Sequence, residues 1–125
     1  MKIRVQDGLP YITTALTYRG RQLVFEKVIM DTGSTGTIFT ADKLVDIGLL
    51  PEPQDTIHRV WGVRGTEFVF MKRVNRLTVG ELEAHDFEIE VGAMDYEIDL
   101  EGIVGMDFLM HTGAIINLAQ LEISR

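Results

Sequence analysis

Val28, Ile29 and Met30 run without a polar break into Asp31-Thr32-Gly33-Ser34, and no other feature of the 125-residue chain constrains its folding as sharply. The apolar triplet reads as the end of a buried strand, and Gly33 and Gly36 mark a sharp turn directly after it. A carboxylate held at such a junction, with hydroxyls beside it, is placed for acid/base chemistry. The tetrapeptide occurs once. If the chemistry needs two carboxylates, the second must come from another molecule, so the motif bears on assembly as well as on fold.

Most of the chain around this junction reads as strand, rich in β-branched and aromatic residues and punctuated by glycine. Pro10 to Tyr18 and Gln22 to Met30 flank Arg19-Gly20-Arg21 as a hairpin. Glu67 to Lys72 and Val74 to Val79 continue the pattern, and Phe87, Ile89 and Val91 alternate with Glu88 and Glu90 in the manner of a half-buried strand. Ala114 to Asn117 and Gln120 to Ser124 are closing strands. Two stretches look helical. The first runs from about Ala41 to Ile47, with Thr40 as N-cap and Gly48 as stop. The second is short, around Met106 to His111, and ends at Gly113. The expected fold is mainly β, a closed or nearly closed barrel with one or two short helices, in a single domain spanning residues 1–125.

Composition narrows the function classes. The chain is 46% hydrophobic and 25% charged with net charge −7, so it is globular and has no basic excess for nucleic acid or an anionic membrane. The nearest basic cluster, Lys72, Arg73 and Arg76, reads as a solvated strand edge. Without cysteine, neither disulfides nor thiolate chemistry arise, which fits a reducing interior. Met1 to Asp7 lacks the apolar core of a signal peptide, and no run approaches a membrane span of roughly 20 residues. A cytoplasmic location is expected. The six methionines read as core filling.

Asp-Thr-Gly alone is a modest signal, since at about 5–7% usage per residue chance supplies it in a few per cent of chains this long. Its context sharpens it. About seventy residues later comes Gly102-Ile103-Val104-Gly105-Met106-Asp107-Phe108-Leu109, two apolar residues and a glycine leading into a short helix. Between the two motifs, His58 to Phe70 carries Trp61, Gly62, Val63 and Gly65. This order resembles the retroviral-type (retropepsin-like) aspartic proteases of the single-domain, cellular kind. In that family an apolar strand delivers Asp-Thr-Gly-Ser/Thr/Ala, a hairpin flap follows, and an apolar-apolar-Gly element leads into a short helix. The resemblance covers nearly the whole chain.

The resemblance implies a homodimeric aspartic endopeptidase with the acid-protease barrel, one Asp31 from each chain, and neither metal nor cofactor. Two facing carboxylates cannot both ionise, so the pair holds one proton, the shared-proton logic of aspartic proteases in general. Thr32 would reach across the two-fold axis, and Gly33 would offer its N–H to the carboxylates where a Cβ would crowd them. Ser34 would donate to the Asp31 carboxylate and so favour an acidic working range. Trp61, Gly62, Val63 and Gly65 would form the substrate-covering flap, although Trp61 fits a core cover equally well. Ile103, Val104 and Gly105 would support the site. Met1 to Val5 and Leu121 to Arg125 would form an intermolecular sheet. Where some viral relatives pair an acid with an arginine, this chain has Thr35 and Met106, which leaves Asp107 to cap the short helix.

Other readings fit less well. His58, His85 and His111 lack zinc-ligand spacing. Glu81, Glu83 and His85 read as a solvated face. Asp95, Glu97, Asp99 and Glu101 mimic a calcium loop, but the glycine falls too late and the twelfth position lacks a glutamate. The Asp-x-Gly-Ser-Thr turn also resembles the first phosphate loop of actin-fold sugar kinases, which need a far longer chain, and it lacks a Walker lysine. The alternative within the same fold is a catalytically silent dimerisation or peptide-binding module.

Overall fold

The computed structural model describes residues 1–62, 65–94 and 99–125, the side chains of 60–62 and 65–67 excepted. Its strands are β1 (Arg4–Gln6), β2 (Leu9–Tyr18), β3 (Arg21–Met30), β4 (Ile38–Thr40), β5 (Ile57–Gly62), β6 (Gly65–Val79), β7 (Leu82–Gly92), β8 (Gly102–Val104), β9 (Ile115–Asn117) and β10 (Glu122–Ser124). Two helices, α1 (Ala41–Leu44) and α2 (Met106–Thr112), complete the framework. The β1–β2 and β2–β3 turns place Asp7-Gly8 and Arg19-Gly20 at positive φ, the backbone twist that two-residue hairpins require.

The main sheet runs β1-β2-β3-β8-β4-β7-β6-β5, and a further antiparallel pairing of β2 with β6 closes β2, β3, β8, β4, β7 and β6 into a six-stranded barrel. The expected closed, mainly β fold is therefore the observed one. Ile12, Leu16, Phe25, Phe39, Leu77, Leu82, Ile89 and Phe108 are fully buried, each worth roughly 1.5–3 kcal/mol relative to exposure. Phe25 and Phe39 stack at a 5.0 Å centroid separation and join β3 to β4 through the core.

One crossing positions everything that follows. β8 lies between β3 and β4, parallel to β3 (Ile29 opposite Ile103, Met30 opposite Val104) and antiparallel to β4. The chain thus leaves β3 at Met30, loops through residues 31–37, and returns on the far side of β8.

Several elements differ from the sequence expectation. The segment before Gly48 is helical only over Ala41–Leu44 and then tightens to a 3-10 turn over Val45–Ile47. Thr40 makes no side-chain cap bond, because it is the buried last residue of β4 and its N–H donates to the Glu101 carbonyl. Residues 65–79 form one strand rather than two. Met110 and Met1 are exposed, so those two methionines do not fill the core. The ends expected to pair between molecules pair within one chain. Ile3 N–H donates to Leu121 O at 2.8 Å, Ile123 N–H donates to Met1 O at 2.9 Å, and Lys2 bridges Glu122.

Lys72 is also not solvent-facing. Its side chain is 5% exposed and its ammonium is held by Glu52 and, at 2.8 Å, by Asp55. Glu52 and Asp55 form a turn, with Asp55 N–H on Glu52 O and Glu52 N–H on the Asp55 carboxylate. Arg19 adds a 3.1 Å bond to Glu52. The cluster fastens the segment that enters β5 to the middle of β6. The hydrogen bond from Lys72 holds the Glu52 and Asp55 carboxyls below their usual range. Burial pulls the Lys72 ammonium down, but its bonds to Asp55 and Glu52 outweigh that and raise it. Depressed carboxylates contribute stability above their ordinary range near pH 4 and lose it as pH falls through the lowered values. Lys72 contributes below about pH 10.5 and loses its share as pH rises through its raised value. Lys72→Met is therefore expected to lower Tm by roughly 5 °C at pH 7, with the gap to wild type closing near pH 3. Thermal melts at both pH values check this, and equal Tm at pH 7 would exclude the cluster as a stabilising element.

Candidate active site

The sheet ladder carries on one residue past β3: Asp31 N–H donates to Val104 O at 2.9 Å. The loop then folds back on its first side chain. Gly33 N–H donates to Asp31 Oδ1 at 2.8 Å, and Ser34 N–H donates to Asp31 O at 3.2 Å. A Cβ on Gly33 would sit 3.2 Å from Asp31 Oδ1, so glycine keeps this approach open. Asp31 is half-buried and Thr32 exposed.

Ser34 departs from expectation. Its hydroxyl donates to Gly36 O at 2.8 Å and not to the Asp31 carboxylate. The loop closes locally because the Gly36 carbonyl lies two residues ahead of the serine. Ser34 thus shapes the turn, and the Gly33 amide is the donor that the Asp31 carboxylate receives from its own loop.

Val104 and Gly105 meet this loop directly, and Ile103 pairs with Ile29 and Ile38 in the strands that flank it. Met106 N–H donates to Ser34 O at 2.8 Å. A Cβ on Gly105 would fall 2.1 Å from Gly36 O and 2.7 Å from Ser34 O, distances that no side chain permits. Thr37, buried, accepts Gly105 N–H at 3.1 Å and donates to Asp107 Oδ1 at 2.7 Å. Asp107 does not cap the helix as expected: Gly105 is the N-cap of α2 and no side chain caps it, while Asp107, one residue inside α2, accepts Phe108 N–H at 2.8 Å and ties the helix to the loop through Thr37. The two sequence motifs form one hydrogen-bonded unit. Thr35 is exposed, and Met106 lines a groove of about 270 Å³ with Thr32, Leu109, Met110, Ala114 and Ile116.

Of the expected flap residues, Trp61, Gly62 and Gly65 lie on the β5–β6 hairpin, where Trp61 opposes Thr66 and Gly62 opposes Gly65. Val63 lies outside the described residues.

Two residues went unnoticed in the sequence. Thr37 carries no signal beyond following a glycine. Glu90 looked equivalent to Glu88 in the alternation of β7, yet Glu88 is exposed and Glu90 half-buried. The Glu90 carboxyl occupies the space that a side chain at Gly36 would take, with Oε1 3.0 Å from the ideal Cβ position. Burial pushes its acidity down, raising its pKa; Asp107 adds to the rise and His58 opposes it.

The profile of the aspartyl protease family matches residues 15–108, from β2 through both motifs to α2. The chain belongs to the aspartyl protease family. A solved retropepsin-like aspartic protease from Rickettsia conorii has the same fold, with a TM-score of 0.68 and 21% identity over 98% of this chain and 86% of that one. No curated protein sequence matches the chain significantly. In this member of the aspartyl protease family, no helix among the described residues is long and apolar enough to cross a membrane. No three His, Cys, Asp or Glu residues among those described are grouped to hold a metal ion.

Gly105→Ala should lower Tm by more than ~10 °C or prevent folding, because backbone on both sides of the clash is already hydrogen-bonded. A Gly105→Ala protein with wild-type Tm would refute the close packing. Glu90 has the opposite linkage from Asp55. With its pKa raised in the folded state, its contribution is most favourable below the ordinary carboxyl range and declines as pH rises through the raised value. Glu90→Gln should therefore raise Tm by roughly 2–4 °C at pH 7.5 and leave it unchanged near pH 4. A stabilisation of equal size at both pH values would show that charge is not its cause.

Proposed function

We propose that the chain is an aspartic endopeptidase that works as a homodimer, with a water activated between the two Asp31 carboxylates. The observation that carries this reading is the placement of Asp31. Its backbone is locked to β8, its carboxyl accepts the Gly33 amide, and it stays half-exposed next to Thr32, which lines an uncharged groove. Among the described residues no second carboxyl is hydrogen-bonded to Asp31, and a two-fold axis through the loop would supply the proton-sharing partner.

In the dimer the pair holds one proton. The ionised carboxylate takes a proton from the bound water, whose oxygen bonds to the peptide carbonyl carbon, while the protonated partner donates to the developing oxyanion. Collapse of the tetrahedral species breaks the C–N bond as the amine accepts a proton from the dyad and one hydroxyl of the diol returns its proton to the dyad while the carbonyl reforms. The carboxyl and amine products then leave, and the pair again shares one proton. Gly33 N–H, aimed at Asp31 Oδ1, orients the carboxylate, and Thr32 is placed to meet the neighbouring chain. The β5–β6 hairpin, carrying Trp61, Gly62 and Gly65, closes over a peptide and excludes water. Hydrophobic side chains flank the scissile bond.

Asp31→Asn should reduce kcat/KM on a peptide library by about 10³-fold or more, with Tm preserved. A statine-type transition-state mimic should inhibit the wild type. Cleavage that survives Asp31→Asn would exclude the mechanism. Cleavage by a protein that sediments as a monomer at the assay concentration would exclude the shared dyad. A stable dimer without cleavage from acidic to neutral pH would point to the peptide-binding module instead.

A further inference from the structure

We infer that Glu90 is a specificity-determining residue, a carboxylate that receives one lysine or arginine side chain of the peptide held between the β5–β6 hairpin and the Asp31 loop. This rests on the peptide-cleaving reading above and names the substrate class that the site selects.

The strand registers place Glu90 between those two elements. Directly opposed residues of neighbouring strands share a face of a sheet, as do residues two apart along one strand. Glu90 opposes Met71 on β6, Met71 lies two residues from Val69, and Val69 opposes His58 on β5. Glu90, Met71, Val69 and His58 therefore stand on one face of the β5–β6–β7 sheet. The Asp31 loop rests on that same face. The Glu90 carboxyl lies over Gly36, with Oε1 3.0 Å and Oε2 3.6 Å from the ideal Cβ position, and Glu90 N–H donates to Thr37 O at 2.8 Å. A peptide lying on the loop and covered by the hairpin passes along this face.

The carboxyl is poorly served by its own chain. Glu88, two residues earlier on the same strand, is exposed, whereas Glu90 is half-buried. Among the described residues no donor is hydrogen-bonded to the Glu90 carboxyl, and burial opposes its ionisation. Asp107 on α2 adds to that opposition and His58 on β5 offsets it in part. Asp107 offers no donor, since its carboxylate is occupied by the Thr37 hydroxyl and Phe108 N–H. A half-buried carboxylate without a donor destabilises the free protein, a trade that belongs to a site whose partner arrives from outside.

The class of that partner follows from the chemistry. An ionised carboxylate only accepts hydrogen bonds, and its strongest donors are ammonium and guanidinium groups. The surroundings suit the methylene stem of such a side chain. Ile38 Cδ1 and Val69 Cγ1 converge over Gly92, two residues beyond Glu90 on the same face, within 3.7 Å of the ideal Cβ position there. The net charge of −7 also favours the approach of a cationic peptide.

Peptide libraries carrying lysine or its uncharged isostere norleucine at each position in turn test the assignment. The Asp31→Asn protein, which should bind without cleaving, is titrated with both libraries at pH 7. At one position lysine should bind roughly tenfold or more tightly than norleucine. Adding Glu90→Gln should erase that difference, and adding Glu88→Gln should keep it. Glu90→Gln is expected to be at least as stable as wild type, so misfolding does not mimic the result. With Asp31 intact, kcat/KM should show the same preference. A lysine preference at no position, or one that survives Glu90→Gln, overturns the assignment and leaves Asp31-dependent cleavage standing. Lysine selection by a protein that cleaves nothing keeps the assignment and refutes the proposed enzyme. A folded protein that binds neither library refutes both.

Discussion

The rest of the site depends on the contact between Gly105 and the Asp31–Gly36 loop. A Cβ at position 105 would lie 2.1 Å from the Gly36 carbonyl oxygen, so only glycine lets the β8–α2 turn rest on that loop. From this contact the other restraints follow in sequence. Met106 N–H bonds Ser34 O, Gly105 N–H bonds Thr37 Oγ1, and Thr37 passes the connection to Asp107 at the start of α2. Each bond satisfies a backbone or hydroxyl group that would otherwise be buried without a partner, at a cost of about 1–3 kcal/mol apiece. The loop is thus held on both sides, by the ladder to Val104 and by the turn onto α2. A carboxylate on such a support keeps its orientation without side-chain packing of its own.

The same crossing explains why a barrel of this topology offers an acid at its surface. β8 is inserted between β3 and β4, so the segment linking those strands must pass over the end of β8. Asp31 lies where that passage begins and is half-buried as a result.

Legibility in the sequence followed the range of the interaction. The β2–β3 hairpin, the alternation of β7 and the stop of α2 at Gly113 are encoded by neighbouring residues, and they were readable. Lys72 was misread because its partners, Glu52 and Asp55, precede it by about twenty residues in a turn without a hydrophobic signature. Ser34 differs from expectation because the sequence offers two acceptors close by in the chain, the Asp31 carboxylate and the Gly36 carbonyl, and only the backbone course of the turn decides for Gly36 O. Glu90 was invisible as a special residue, since its carboxyl takes the space left by the missing side chain of Gly36 in the loop before β4.

By itself the sequence determined the strand-rich class, the single Asp-Thr-Gly-Ser junction and its coupling to Ile103-Val104-Gly105. These are local patterns whose geometry follows from apolar periodicity and from glycine's lack of a Cβ. Tertiary structure alone decided that Thr37 and Asp107 join the two motifs, that Lys72 is buried, and that the chain ends pair with each other. Each of those outcomes is a competition among distant partners for the same hydrogen bonds. Only the folded backbone, by setting which groups come within about 3 Å of one another, resolves it.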